Sequence, residues 1–80
     1  MQGSERIQAE IQKVIADDPT IPKGDLVIVS VEKKSLWKGG KEFVLLKGRL
    51  QSEADKAKAE KLARLHAAGR EIVNQITVSR

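Results

Sequence analysis

Residues 43–78 read FVLLKGRLQSEADKAKAEKLARLHAAGREIVNQITV, and the way this stretch divides settles the architecture. Its first part, with Glu42, spans 42–50 and alternates. Val44, Leu46, Gly48 and Leu50 point one way, and Phe43, Leu45, Lys47 and Arg49 the other, as a strand's two-residue period requires. The first set is the core face, because no charge interrupts it. Gly48 within that set predicts a helix pressing so close that no side chain fits between. Ser52 then caps a helix over 53–68, with Asp55 three residues on as a short capping box, and Gly69 is the expected stop. Two stripes of this helix are apolar. One holds Ala54, Ala57, Leu65 and Ala68 but has Lys58 and Lys61 near its centre. The other holds Ala59, Leu62, Ala63 and His66 without a full charge, and is taken as the buried one. Residues 71–78 close the stretch as a strand, with Ile72, Ile76 and Val78 on one face and Val73 on the other. A strand, a helix and a strand in one sheet imply a parallel pair joined by a right-handed crossover.

Working outward from there, Ile7, Ile11, Val14 and Ile15 form a single stripe of a helix over 5–17. Ser4 is placed to cap it, and Asp17-Asp18-Pro19 ends it. PTIPKGD is a loop in which Ile21 plugs the edge of the core. LVIVSVE, residues 26–32, is rich in β-branched residues and reads as a strand. Val27, Val29 and Val31 share one of its faces, and Leu26, Ile28, Ser30 and Glu32 the other. Its successor at 42–50 pairs with it as an antiparallel hairpin, turning near Gly39-Gly40. The fold class is therefore α+β, in the order α-β-β-α-β, with two helices packed on one face of a three-stranded mixed sheet. Residues 4–80 form one domain, and residues 1–3 are expected to be a disordered start or a remnant of expression.

Eighty residues with only two aromatics, Trp37 and Phe43, leave the core to Ile, Val, Leu and Ala. A domain this small buries only about 60–65% of the surface its unfolded chain exposes. The chain has no cysteine, so disulfides and thiolate metal sites are excluded. No apolar run approaches the roughly 20 residues of a membrane span, and the polar start MQGSERIQAEIQK does not read as a signal peptide. The net charge of +4 is uneven. Residues 1–32 hold three basic and six acidic groups, residues 33–49 six and one, and residues 50–80 six and four. The basic excess thus centres on KKSLWKGGK, residues 33–41, and on the strand after it.

The stretch 43–78 resembles the BON (bacterial OsmY and nodulation) domain family. That family shows a strand of the form hydrophobic-x-Leu-x-Gly-x-hydrophobic, a Ser-capped Ala-rich helix, and then Val-x-Asn-x-hydrophobic-x-Val. Val44, Leu46, Gly48 and Leu50 match the first element. Ser52, Ala59, Leu62 and Ala63 match the second, and Ile72, Asn74, Ile76 and Val78 the third. With the first helix and LVIVSV the resemblance covers roughly residues 4–78. Two features depart from it: Ala68-Gly69 stands where members usually carry Gly-Val, and the connection 32–42 is longer and more basic than the usual hairpin turn. The resemblance implies a non-enzymatic binding module of bacterial envelope or stress proteins, without cofactor or small-molecule substrate, for which phospholipid binding has been proposed. It also implies a periplasmic or envelope-associated place, while the polar start leaves a cytoplasmic one open.

Candidate sites follow from the residues. Lys33, Lys34, Leu36, Trp37, Lys38 and Lys41 offer an indole, which favours the headgroup region of a bilayer, among lysines that favour an anionic phospholipid surface. The alternative is that Leu36 and Trp37 fold back over a small core and leave the lysines solvated. Phe43, Leu45, Lys47 and Arg49 on the outer sheet face offer a second surface, for a protein partner, a further copy or a neighbouring domain. Asn74 is expected to satisfy backbone groups near its strand's start, and His66 to sit at a helix C-terminus, since a lone histidine lacks a ligand set. The spacing of Asp17, Asp18 and Asp25 matches no calcium loop. No catalytic set or phosphate loop is readable. With no GxxG between helices and no aromatic pair on the sheet, nucleic acid is not an expected partner.

Overall fold

The computed structural model describes residues 3–33 and 42–79. Helix α1 (Gly3–Asp17) leads through a 3-10 turn (Gly24–Leu26) into strand β1 (Ile28–Lys33). Strand β2 (Glu42–Leu50), helix α2 (Glu53–His66) and strand β3 (Glu71–Val78) complete the chain. The sheet order is β1-β2-β3, with β1 antiparallel and β3 parallel to the central β2. The α+β class, the order α-β-β-α-β and the mixed three-stranded sheet are those expected. The bounds of β2 and β3 are also those expected.

One face of the sheet carries the core. Val44, Leu46 and Leu50 of β2 are buried with Val29 of β1 and Ile76 of β3. Ile11 and Ile15 of α1 and Ala59, Ala63 and Ala67, from α2 and its exit, cover them. The uncharged stripe of α2 is the buried one, and Leu65, on the rejected stripe, is 71% exposed. Ile21 is buried at the edge, as its place in the loop suggested. Three alanines at a spacing of four bring the α2 backbone close to the sheet, because they put only methyl groups between the layers.

Four details differ from the sequence reading. Helix α1 starts at Gly3, so Ser4 lies inside the first turn, whereas a cap needs extended backbone there; Gly3 belongs to the fold. Strand β1 starts at Ile28, because Leu26 and Val27 close a 3-10 turn through bonds to Lys23 O and Gly24 O at 3.0 and 3.1 Å. Helix α2 ends at His66, since Ala68 already takes a left-handed φ of 55°, followed by Gly69 at 84°. Gly48 does make room, but not for a helix. With φ at 129°, a Cβ there would lie 2.6 Å from Leu26 O and 3.1 Å from Val27 Cα, so the chain entering β1 crosses directly over it.

Polar ties fix the layers. Helix α1 lies along the free edge of β1, and Gln12 serves two of that edge's backbone groups: its Nε2 donates to Val27 O, and its Oε1 accepts from Val29 N at 3.0 Å. One turn earlier, Gln8 Oε1 accepts from Val31 N at 3.1 Å. An open strand edge is a template for unwanted pairing, and two glutamines four residues apart close this one. On α2, Ser52 Oγ accepts from Asp55 N at 3.1 Å, which is the expected cap.

Gly48→Ala would force a Cβ into backbone at a φ that favours glycine, and should cost roughly 2–5 kcal/mol, read as a lowered urea midpoint. Gln12→Ala orphans a half-buried amide and carbonyl and should cost about 1–3 kcal/mol. Gln8→Ala, at the more exposed end of the edge, should cost clearly less in the same titration; equal losses would contradict this account of the edge.

Candidate functional site

The antiparallel ladder of β1 and β2 runs unbroken to the pair Lys33↔Glu42. The eight-residue connection therefore leaves from and returns to adjacent strands, at one end of the sheet. Lys33 is exposed there. Lys34, Leu36, Trp37, Lys38 and Lys41, with the turn expected near Gly39-Gly40, lie outside the described residues. The α2–β3 turn reaches the same end, where Arg70 Nε donates to Glu42 Oε1 at 2.8 Å and Arg70 Nη1 to Ala67 O at 3.1 Å. Glu42 is thus already partnered, and does not offset the lysines of the connection.

On the outer face the register sets the side chains in rows. Glu32, Phe43 and Glu71 form the first, Ser30, Leu45 and Val73 the second, and Ile28, Lys47 and Gln75 the third. Arg49 and Thr77 form the fourth. Phe43, Leu45 and Val73 are half-buried, Ile28 is 63% exposed, and Lys47 and Arg49 are exposed. The four residues singled out on β2 therefore do share this open face. Lys47 and Arg49 have no ion-pair partner among the described residues.

Other polar candidates are engaged in structure. Asn74 joins β3 to α2: its Nδ2 donates to Lys56 O at 3.2 Å and to Glu60 Oε1 at 3.1 Å, while its Oδ1 accepts from Ile76 N at 3.1 Å. The Asn74 bond, followed by the Arg64 guanidinium, holds the Glu60 carboxyl below the ordinary glutamate range. His66 reaches across to α1, with Nδ1 at 3.2 Å from Glu10 Oε2. Asp18 accepts both Thr20 Oγ1 at 2.6 Å and Thr20 N at 2.7 Å, bonds that lower its pKa. Asp17 pairs instead with Lys13 at 3.0 Å. Among the described residues, no three His, Cys, Asp or Glu side chains converge on a metal position, and no helix is long and apolar enough to cross a membrane.

One feature had no signal in the sequence. A cleft of about 580 Å³ opens at the end of the sheet away from the hairpin connection, lined by Lys23, Leu26, Arg49, Leu50, Gln51 and Ser79. Its two cations come together only because the turn before β1 crosses Gly48, a contact that no periodicity encodes.

The tie between Asn74 and Glu60 has a pH signature. A carboxyl depressed by folding contributes stability above its unfolded pKa, near pH 4.3, and loses that contribution as the pH falls through the folded value. Glu60→Gln should flatten the decline in stability below about pH 4.3 relative to the parent, by a small amount because the group is partly exposed. Asn74→Ala should reduce the same acid dependence, leaving the part due to Arg64, and cost about 1–3 kcal/mol at neutral pH. Parallel stability–pH curves for all three proteins would rule the tie out.

Comparison with curated proteins gives no match. The family model of the BON domain matches residues 38–80, which takes in β2, α2 and β3, the part built around Gly48, Ser52 and Asn74. As a family these are non-enzymatic binding modules linked to lipid and membranes, and this chain belongs to the BON domain family.

Proposed function

We propose that the protein is a non-enzymatic binding module that docks on anionic phospholipid through the connection between β1 and β2. The observation that supports this most directly is the closed ladder up to Lys33↔Glu42. It sets Lys33 and Glu42 side by side at one end of the sheet, so the connection that leaves and returns there carries Lys34, Leu36, Trp37, Lys38 and Lys41 in its sequence. Near an anionic membrane surface each lysine contributes about 1 kcal/mol, and an indole settles at the headgroup level. Of the acidic residues at this end, Glu42 is held by Arg70, and Glu32 and Glu71 stand on the outer face of the sheet. If the chain follows its family, this membrane belongs to the bacterial envelope.

Trp37 is the chain's one tryptophan, so its emission reports this contact without a label. Vesicles of phosphatidylcholine with phosphatidylglycerol should shift the emission to the blue at low salt. Vesicles of phosphatidylcholine alone should shift it far less, and salt should reverse the effect because the Debye length falls from about 30 Å at 0.01 M to about 8 Å at 0.15 M. Replacing Lys34, Lys38 and Lys41 by Gln should weaken the apparent affinity by tenfold or more. An emission spectrum indifferent to both vesicle types at low salt would retire this reading.

A further inference from the structure

The outer sheet face is complementary to itself, and we infer that it pairs with the outer face of a second copy in antiparallel register. Its charges are sorted along the strands. The row nearest the hairpin connection carries Phe43 between Glu32 and Glu71, while the rows at the far end carry Lys47 and Arg49 on the same central strand. Leu45 and Val73 lie between these ends beside Ser30, and Ile28 extends the apolar patch into the row of Lys47. A two-fold axis lying in the interface, across the strands at the level of Leu46, maps β2 of one copy onto β2 of the other with its direction reversed. Arg49 of one copy then comes over Phe43 of the other, between Glu32 and Glu71. The guanidinium gains a ring face and two flanking carboxylates, while the aliphatic stem of Lys47 lies over Leu45. The symmetry makes each contact twice, as an isologous interface requires.

No other register does this. With the strands of the two copies parallel, Arg49 would face Arg49 and Glu32 would face Glu71, which is repulsive. A polyanion such as a nucleic acid would meet the lysine and arginine rows favourably but the glutamate row unfavourably. The size of the face sets the strength. Residues 43–49 span about 20 Å along a strand, and three strands span about 14 Å. The projected area is therefore on the order of 300 Å² per copy, well under the roughly 800 Å² of a standard interface. The dimer is weak and transient, and screening by salt weakens it further.

The test is charge-swap complementation, followed by sedimentation at rising concentration and low salt, without lipid. The unsubstituted chain should dimerise reversibly. A variant with Lys47→Glu and Arg49→Glu sets glutamates against Glu32 and Glu71, and should self-associate at least about tenfold more weakly. A second variant with Glu32→Lys and Glu71→Lys should fail in the same way. Mixed in equal amounts, the two should form a heterodimer, because both ends of the interface are then opposite in sign. Circular dichroism of each variant separates lost pairing from lost folding, and Leu45→Lys should abolish pairing in every combination. A parent chain monomeric at millimolar concentration, or variants that do not rescue each other when mixed, would overturn the inference. The lipid reading is unaffected by either result, since it concerns the connection and is measured by Trp37.

Discussion

A core made of Ile, Val, Leu and Ala closes only if its layers come very near one another, and the crossing of the chain over Gly48 is one of the two places among the described residues where backbone leaves no room for a side chain. The backbone of Leu26 and Val27 sits where a side chain of residue 48 would stand. Because of this, Val27 drops into the core beside Val29 and the turn before β1 stacks on the sheet instead of standing off it. Gly24 repeats the device one layer out, where a Cβ would run into Ile15 O near the end of α1. The alanines of α2 do the same from the crossover side. Larger residues at these positions would separate the layers and leave voids, which cost free energy in proportion to their volume.

That constraint also explains why the sequence was legible in some places and not in others. The face of β2, the buried stripe of α2 and the order of elements α-β-β-α-β follow from periods of two and 3.6 residues, and such local patterns survive folding intact. Gly48 was recognisable as a point of close approach, but the approaching element was not, because that depends on where a turn far away in sequence comes to rest. Leu26 looked like the first residue of a strand on composition. The left-handed Lys23 and the backbone bonds of the 3-10 turn, which composition does not display, decided otherwise. The early end of α2 is of the same kind, since Ala68 takes a left-handed position where glycine is the usual occupant.

The polar ties were the least readable part, although a partial signal existed. Gln8 and Gln12 stand four apart, each next to a member of the stripe Ile7, Ile11, Ile15, so both fall on the flank of the buried face. Nothing in that spacing says that a strand edge lies alongside. Asn74 was expected to bond backbone near its own strand, and it does so through Ile76 N, but its amide also grips the crossover helix at Lys56 O and Glu60. These side chains treat the sheet's two edges differently. The edge at β1 is closed by α1, whereas at β3 a single asparagine both occupies one edge amide and anchors the helix above. Of the candidate binding residues, the outer-face set assembled as a surface because a strand's alternation fixes it. The glutamates that complete its charge pattern come from β1 and β3, and only the register brings them beside Phe43.

The two surfaces constrain one another through geometry. An axis across the strands reverses the long direction of the second copy, so a dimer carries its two hairpin connections at opposite ends. On one flat membrane only one of them can reach the headgroups. Pairing therefore brings no gain in avidity on a single surface, because the second connection has no reachable partner there. The same dimer suits a gap between two anionic surfaces, where each connection meets its own. Self-association of a face this small needs high local protein concentration, but molecules attached to one membrane all point the same way, so crowding there does not bring their faces into the antiparallel register. Had the faces paired with strands parallel, both connections would point to one side and avidity would follow, but Arg49 against Arg49 and Glu32 against Glu71 oppose that arrangement. If the module docks on lipid and pairs as proposed, the distribution of four charged side chains on the sheet decides whether it holds to one surface or joins two.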